Sequence, residues 1–181
     1  MKLELETEHL IIKALTPDWA GEVLSFYQKN IEVFEMYEPI IDENFLSIEH
    51  QEHMLTYEQK AMMKLAMVRY YFFEKGNNNQ IIGTVSFRNI IKPIYASCTV
   101  GYKMDQDYMR KGYCYEALSY LIPYLGKELE LHRFEALVMP DNFPSINLLE
   151  KLGFEKEGLL REKIRIKGKF EDHYLYSYLV K

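Results

Sequence analysis

The sequence predicts an α/β fold in which helices cover both faces of one mixed, twisted sheet. Three observations support this prediction. Strand-like and helix-like patterns alternate along the chain, its 181 residues suffice for one domain with a sizeable core, and no repeat or linker interrupts them. The predicted order is strand, two helices, three strands, helix, strand, helix and two strands. Residues 1–181 are therefore expected to form a single domain.

The first half of the chain is predicted to contain two helices between strands. Alternating apolar and polar residues predict a strand over residues 3–15. Thr16 suits the N-cap of the first helix, and Ser47 suits the N-cap of the second. Two runs rich in β-forming residues flank the turn segment KGNNNQ, which predicts a hairpin over residues 66–90.

The second half is predicted to alternate strands and helices and to end in a hairpin. Pro123 falls inside a helix, where it removes a backbone donor and clashes with the preceding turn, so we expect a kink or two shorter helices. Tyr174, Tyr176 and Tyr178 should share one face of the last strand, where they pack or form a homodimer contact. The predicted elements are a strand at 97–104, a helix at 111–129, a strand at 133–139, a short helix before Gly153, and two strands joined at 167–169.

Composition narrows the class of protein. The net charge of −5 argues against a nucleic-acid partner, which usually meets a concentrated basic surface, but an acidic enzyme can attract a cationic substrate. The two cysteines, Cys98 and Cys114, indicate no disulfide framework, so a cytoplasmic location is expected. The N-terminus lacks the apolar run of a signal peptide, and no run approaches the roughly 20 apolar residues of a membrane span.

The segment DYMRKGYCYEAL, residues 107–118, is predicted to be a loop that leads into a helix. The start of a helix carries unpaired N–H groups and a partial positive charge, which together form a site for phosphate. Gly112 lets the backbone turn tightly and approach a ligand, and Arg110 and Lys111 add positive charge. The alternative is a capped surface helix with two solvated cations. The segment matches neither a Walker loop nor a dinucleotide fingerprint.

With the C-terminal half included, the sequence resembles the GNAT superfamily of acyl-CoA-dependent N-acetyltransferases, in its RimJ/RimL-type branch. The family's phosphate loop, Q/R-x-x-G-x-G/A, corresponds to residues 109–114, although Met109 and Cys114 depart from it. The opening LETEHLIIKAL also resembles the branch's first strand, with His9 where Arg is common. The other matching motifs, in chain order, are GYKM at 101–104, Asn142, Ser145, LEKLGF at 149–154, Glu157-Gly158, Arg161, Gly168 and Asp172.

The resemblance implies a fold and an acetyl-CoA cofactor. Two parallel central strands, ending at Met104 and near Val138, would splay apart and admit the pantetheine arm as if it were an added strand. A backbone N–H near Met104 would polarise the acetyl carbonyl. Leu149 would contact the sulfur end of the cofactor. The cofactor-binding residues implied by the resemblance are Tyr102, Met104, Met109, Arg110, Lys111, Gly112, Tyr113, Cys114, Asn142 and Leu149.

The implied reaction is direct transfer of an acetyl group to a neutral amine, with CoA thiolate leaving. Many GNAT enzymes place a tyrosine at the position of Leu149 to protonate the thiolate. Because that tyrosine is missing, we assign the acid role to Ser145; the alternative is that Ser145 only caps the short helix after Pro144. The base stays unassigned. Its candidates are Glu35, Glu38, Asp42 and Glu162, each of which could equally be solvated.

The predicted function is therefore acetyl transfer to a primary amine, either a protein or peptide N-terminus or a small polyamine. The acidic segment FEMYEPIIDENF, residues 34–45, favours a cationic substrate of either kind. One alternative is a non-catalytic acyl-CoA-binding sensor with the same fold, and another is an adaptor without a cofactor. No metal is expected, since His50 and His53 are best interpreted as part of a charged helix surface. Cys114 is expected to pack rather than to act as a nucleophile.

Overall fold

The protein forms an open eight-stranded mixed sheet with four α-helices in the residues that the computed structural model describes, 1–39 and 43–180. This architecture confirms the predicted α/β fold with helices on both faces. The strands are β1 (Glu4–Glu6), β2 (Leu10–Lys13), β3 (Val68–Glu74), β4 (Asn77–Ile91), β5 (Ser97–Met104), β6 (Arg133–Val138), β7 (Glu155–Ile166) and β8 (Lys169–Leu179). The helices are α1 (Ala20–Phe34), α2 (Ile48–Met63), α3 (Tyr113–Leu129) and α4 (Phe143–Lys151).

The two central strands of the sheet are parallel and diverge. The strand order is β1-β2-β3-β4-β5-β6-β8-β7, and β5 pairs with β6 only from Ser97–Thr99 to Arg133–Glu135. Beyond Thr99, β5 continues along β4 as far as Met104, and β6 continues along β8 as far as Val138. The predicted splay of two parallel central strands is therefore confirmed.

A hydrophobic core lies on each face of the sheet. The apolar residues of α3 and α4 pack with one face, and α1 and α2 pack with the other. Strand β3 contributes to both, since Tyr70 and Phe72 belong to the first core, and Tyr71 and Phe73 to the second. This burial explains the unbroken apolar run of residues 70–73 in β3, as expected for a strand covered on both sides.

The N-terminal region and the first hairpin differ from the prediction. Residues 3–15 contain two antiparallel strands, because the chain reverses between Thr7 and Leu10. The Thr7 N–H donates to the Leu10 carbonyl oxygen, and the Leu10 N–H donates to the Thr7 hydroxyl oxygen. The alternation of residue types is the same on either side of a tight turn, so the pattern could not reveal the reversal. In the hairpin, β4 already begins at Asn77, and the turn is confined to Lys75 and Gly76.

Helix α3 is continuous through Pro123, so the expectation of two shorter helices is wrong. Pro123 is exposed, and the carbonyl that loses its partner belongs to the exposed Ser119, where water can replace the missing N–H. The cap prediction for α2 is confirmed: the Ser47 side chain accepts a hydrogen bond from the His50 N–H at 3.2 Å. The three alternate tyrosines of β8 also lie together, against the α3 and α4 core.

We expect Gly83→Ala to destabilise the fold. A Cβ on Gly83 would lie 2.5 Å from Sδ of Met104, 2.8 Å from Phe72 and 2.9 Å from the carbonyl oxygen of Lys103, so strand β5 must shift. Overpacking of this kind costs about 1–3 kcal/mol of unfolding free energy, which urea denaturation measures. Gly158→Ala is the matched control in a strand, since its added Cβ would meet nothing within 4 Å. Equal stability of the two variants would contradict the prediction.

Candidate active site

The loop before α3 has the backbone geometry of an anion site. Gly112 is the N-cap of α3 with φ 89°, and it offers no side chain to cap the helix. Arg110 also adopts a left-handed conformation, with φ 61°. Left-handed residues in such a loop turn successive N–H groups toward one concave surface. A Cβ on Gly112 would meet nothing within 4 Å, so the space above this turn is open.

The side chains around this turn leave the backbone accessible. Arg110 and Lys111 are exposed, and Nζ of Lys111 lies 4.5 Å from the centroid of the Tyr108 ring. Met109 is also exposed, and the Tyr113 hydroxyl donates a hydrogen bond to Glu74. These residues surround the turn with two cations and no side chain over Gly112.

Cys114 follows in the first turn of α3 and is half-buried. Burial raises the pKa of its thiol to about 12, which outweighs the acidifying influence of a helix start. A thiol with this pKa stays protonated at neutral pH. Cys114 is therefore unsuited to be a nucleophile, which agrees with its expected role in packing.

The buried carboxylate of Asp105 connects the loop before α3 to helix α1. Asp105 is 1% exposed, and both its oxygens accept from Nζ of Lys29, at 2.8 and 2.7 Å. Its Oδ1 also accepts from the Asp107 N–H at 2.9 Å, and Asn30 Oδ1 accepts from the Gln106 N–H at 2.9 Å. The contacts made by Lys29 and Asn30 join residues 76 apart in sequence, and no local pattern indicated them.

A second connection ties the N-terminal hairpin to the first turn of α3. Glu116 accepts hydrogen bonds from the Thr7 hydroxyl at 2.5 Å and from the His9 N–H at 2.8 Å. Its other oxygen lies 2.9 Å from Nδ1 of His9. The hydrogen bond to Glu116 raises the pKa of His9. Burial acts to raise the pKa of Glu116, but the hydrogen bonds from Thr7 and His9 outweigh it and lower that pKa.

This pair should make stability depend on pH. The stabilisation from His9 is lost as pH rises through its raised pKa, and that from Glu116 is lost as pH falls through its lowered pKa. With reference values of 6.5 and 4.5, both contributions are fully present between pH 4.5 and 6.5. The urea midpoint should therefore fall most in His9→Gln within this window, and less on either side. His53→Gln, on the exposed surface of α2, is the control. If the urea midpoint of His9→Gln is lowered by the same amount at every pH, the His9–Glu116 pair is not the source of pH-dependent stability.

The gap between β5 and β6 has the shape required for an added strand. Beyond Thr99 each strand is paired only on its outer side, so the backbone groups of β5 up to Met104 face an open edge toward β6. Tyr102 and Met104 are half-buried along this edge. The open edge and the uncapped turn at Gly112 both fit the long chain and pyrophosphate of acetyl-CoA.

The Tyr102 side chain connects β5 to α4 across this gap. Its hydroxyl lies 2.7 Å from Oγ of Ser145 and 3.3 Å from the Ser145 carbonyl oxygen. Burial raises the pKa of Tyr102, so the phenol stays neutral. The resemblance implied that Tyr102 binds the cofactor and gave no role to its side chain. The contact with Ser145 spans 43 residues and could not be predicted from local signals.

The N-cap of α4 is Asn142, so the alternative in which Ser145 caps this helix is wrong. The Asn142 side-chain oxygen accepts from the Ser145 N–H at 3.2 Å, and the helix already begins at Phe143. The Ser145 hydroxyl is consequently left to contact Tyr102. Leu149 is 1% exposed and belongs to the core, so any contact with a cofactor would be made from a buried position.

The candidate bases fall into different surroundings. Glu38 forms an ion pair with Nζ of Lys103 at 2.6 Å, and Glu35 is half-exposed. Glu162 is exposed in an irregular part of β7, with φ 49°, and its N–H donates to Asp172 at 2.7 Å. Asp42 lies outside the described residues. The Asp172 contact shows that this motif residue holds the β7 backbone.

The Glu157-Gly158 motif also has a structural contact. Glu157 accepts from Arg133 at 2.8 Å and from the Ser177 hydroxyl at 2.6 Å, and these hydrogen bonds lower its pKa to about 2. It thereby connects β7 with β6 and β8. In the described part of the chain, no group of three or more His, Cys, Asp or Glu side chains could hold a metal ion, and no helix there is long and apolar enough to cross a membrane.

Comparison with known proteins agrees with this geometry. The acetyltransferase (GNAT) domain family matches residues 9–155. The probable N-acetyltransferase YjcK of Bacillus subtilis is 33% identical over 175 residues, which cover 97% of this chain and 96% of that protein. The [ribosomal protein uS5]-alanine N-acetyltransferase of Escherichia coli is 29% identical over 183 residues, 96% of this chain and 89% of that enzyme. The crystal structure of the ribosomal-protein-S5-alanine acetyltransferase from Vibrio fischeri superimposes with a TM-score of 0.93 at 28% identity, covering 98% of this chain and 97% of that one.

A splayed parallel strand pair beside an uncapped, glycine-initiated helix defines an acyl-CoA-dependent transferase. The chain belongs to the GNAT acetyltransferase family, and it is an N-acetyltransferase that uses acetyl-CoA. The alternative of a non-catalytic sensor receives no support, because the relatives are named as acetyltransferases.

Proposed function

We propose that this enzyme acetylates the amino terminus of a protein or peptide. The E. coli and V. fischeri proteins to which it is similar are named as acetyltransferases of an alanine in a ribosomal protein, and the likeness to them extends over almost the whole chain. The observation that carries the proposal is the open edge of β5 next to the Tyr102–Ser145 contact. This arrangement supports the proposal because two hydroxyl groups lie beside a gap that would admit a thioester.

The phosphate end of acetyl-CoA is assigned to the start of α3. The backbone N–H groups of Gly112, Tyr113 and Cys114 would bind the pyrophosphate, because the first turn of a helix leaves such donors unpaired. Arg110 and Lys111 would add positive charge. Met109 precedes them in the exposed part of the loop. Sulfur at Cys114 is compatible with this role, since the backbone supplies the hydrogen bonds.

The remaining cofactor residues line the gap. The backbone of β5 at Tyr102 and Met104 would pair with the pantetheine arm along the open edge. The Asn142 oxygen is used by the helix cap, so its amide NH2 is the group left to donate to the arm. Leu149 would close the sulfur end from within the core.

Ser145 is proposed to be the proton donor. Acetyl-CoA supplies an activated carbonyl and a thiolate leaving group. Oγ of Ser145 would give its proton to the departing sulfur and take up the hydroxyl proton of Tyr102, whose oxygen lies 2.7 Å away. The proton that the amine loses would pass to water, which would return one to Tyr102. Tyr102 on β5 would thereby assist the acid role that many family members give to a tyrosine at the position of Leu149.

A CoA-release assay tests the proposed function. The purified enzyme is given acetyl-CoA and short peptides that begin with a free alanine or serine, and a thiol reagent measures free CoA. We expect thiol release with these peptides and none with the same peptides blocked by an N-terminal acetyl group. If the enzyme binds acetyl-CoA but no peptide with a free amino terminus yields thiol, the proposed function is wrong.

A further inference from the structure

The side chains of β5 point to two opposite faces of the sheet, and each face has different neighbours. Tyr102 and Met104 contact the core that packs with α3 and α4. Because residues alternate along a strand, Gly101 and Lys103 face the opposite side. Nζ of Lys103 indeed lies 5.8 and 5.7 Å from the ring centroids of Tyr27 and Phe34 on α1. Since α3 and α4 cover one face of the gap, the acceptor amine must approach from the face of Gly101 and Lys103.

An arginine from β4 lies against the bare backbone of this face. A Cβ on Gly101 would be 3.1 Å from Nη2 of Arg88 and 3.6 Å from Oγ of Ser86. Arg88 pairs in register with Thr99, the last residue of β5 before the strands diverge. The guanidinium is therefore placed at the closed end of the gap, beside the backbone that leads to Tyr102. The absence of a side chain at Gly101 lets the guanidinium lie close to the backbone there.

The charge on this face is set by Arg88. Lys103 is neutralised by Glu38, with Nζ and Oε1 separated by 2.6 Å. Arg88 is exposed, and within residues 1–39 and 43–180 no carboxylate forms an ion pair with it. The described face thus presents one uncompensated cation. The ion pair with Lys103 removes Glu38 from the acidic groups of residues 34–45 that were expected to favour a cationic substrate of either kind.

We propose that Arg88 selects the acceptor, by donating hydrogen bonds to an acidic side chain close to the amino terminus of a peptide substrate. An exposed guanidinium offers paired donors that match a carboxylate, and it repels a polyamine. An extended peptide lying over this face of β5 would carry its second residue about 3.3 Å from its first, within reach of a side chain as long as arginine. The preferred acceptor is accordingly a peptide whose second residue is acidic. The inference rests on the proposed function, acetylation of a peptide amino terminus.

The test is a matched set of peptides and variants. One peptide begins Ala-Glu and the other Ala-Gln, and each is assayed by CoA release with the wild type, Arg88→Gln and Lys127→Gln. Lys127 is exposed in the last turn of α3 and controls for the loss of one positive charge. For the wild type, we expect kcat/KM to favour Ala-Glu about three- to tenfold, as for an accessible charged hydrogen bond.

In Arg88→Gln this preference should disappear, while Lys127→Gln keeps it, and both variants should keep the wild-type Kd for acetyl-CoA. Activity with spermidine, low in the wild type, should rise in Arg88→Gln. Acetylation of both peptides without a preference that depends on Arg88 overturns this inference and leaves the proposed function standing. An equal loss of preference in both variants also overturns it. No acetylation of either peptide by the wild type overturns both.

Discussion

Gly112→Val should weaken acetyl-CoA binding about 10- to 100-fold, because a helix start that binds phosphate depends on close approach to its backbone. Gly112 has φ 89°, a conformation that costs a side-chain-bearing residue roughly 1–2 kcal/mol and a β-branched residue more. The space above this turn is open, so the added methyl groups would occupy the position proposed for the pyrophosphate. Isothermal titration with acetyl-CoA measures the change in Kd.

The control for this variant is Gly168→Val. Gly168 has φ 83° and nothing within 4 Å of an added Cβ, but it lies in the turn between β7 and β8. The Gly168→Val variant has the same kind of backbone strain, but at a position far from α3 in the sequence. Its Kd for acetyl-CoA should therefore match that of the wild type. Equal Kd values for Gly112→Val and the wild type would contradict binding of the pyrophosphate at this turn.

Ser145→Ala should lower kcat about 100-fold or more, as expected for loss of a general acid, and leave the Kd of acetyl-CoA unchanged. The substitution removes only Oγ. The backbone N–H that Asn142 caps is retained, so α4 should still form. Steady-state kinetics with a peptide acceptor give kcat, and Ser119→Ala is the control, since Ser119 is an exposed serine on α3.

The contact with Tyr102 adds a second test of the same role. Tyr102→Phe should lower kcat less than Ser145→Ala, and it should have little further effect once Oγ of Ser145 is gone, since the two hydroxyls act together. If Ser145→Ala keeps the kcat of the wild type, the proton reaches the leaving group by another route.

Sequence patterns predicted the features of this site that depend on local geometry. Gly112 at the start of an amphipathic helix predicted an anion site, with a capped surface helix as the alternative, and the family motifs implied the splayed strands. The cap at Ser47 agrees with the sequence prediction, whereas α4 is capped by Asn142 and not by Ser145, the residue that the sequence offered as an alternative cap. Local steric and hydrogen-bonding rules suffice for such features.

Contacts between distant segments could not be predicted in this way. The Tyr102–Ser145 contact joins β5 to α4, and the pairing of Lys29 with Asp105 joins α1 to the loop before α3. The sequence indicated no role for Arg88, because its proposed contact with the substrate depends on the register that brings it over Gly101. The register of a sheet arises from packing of whole strands, and a single sequence carries no direct record of it.

A crystal structure of the enzyme with CoA tests the central claim most directly. We predict that the pyrophosphate oxygens accept hydrogen bonds from the main chain at Gly112–Cys114, and that the pantetheine arm lies between β5 and β6 with its sulfur close to Ser145. A pyrophosphate held elsewhere, or β5 and β6 paired along their full lengths with the arm outside, would contradict it.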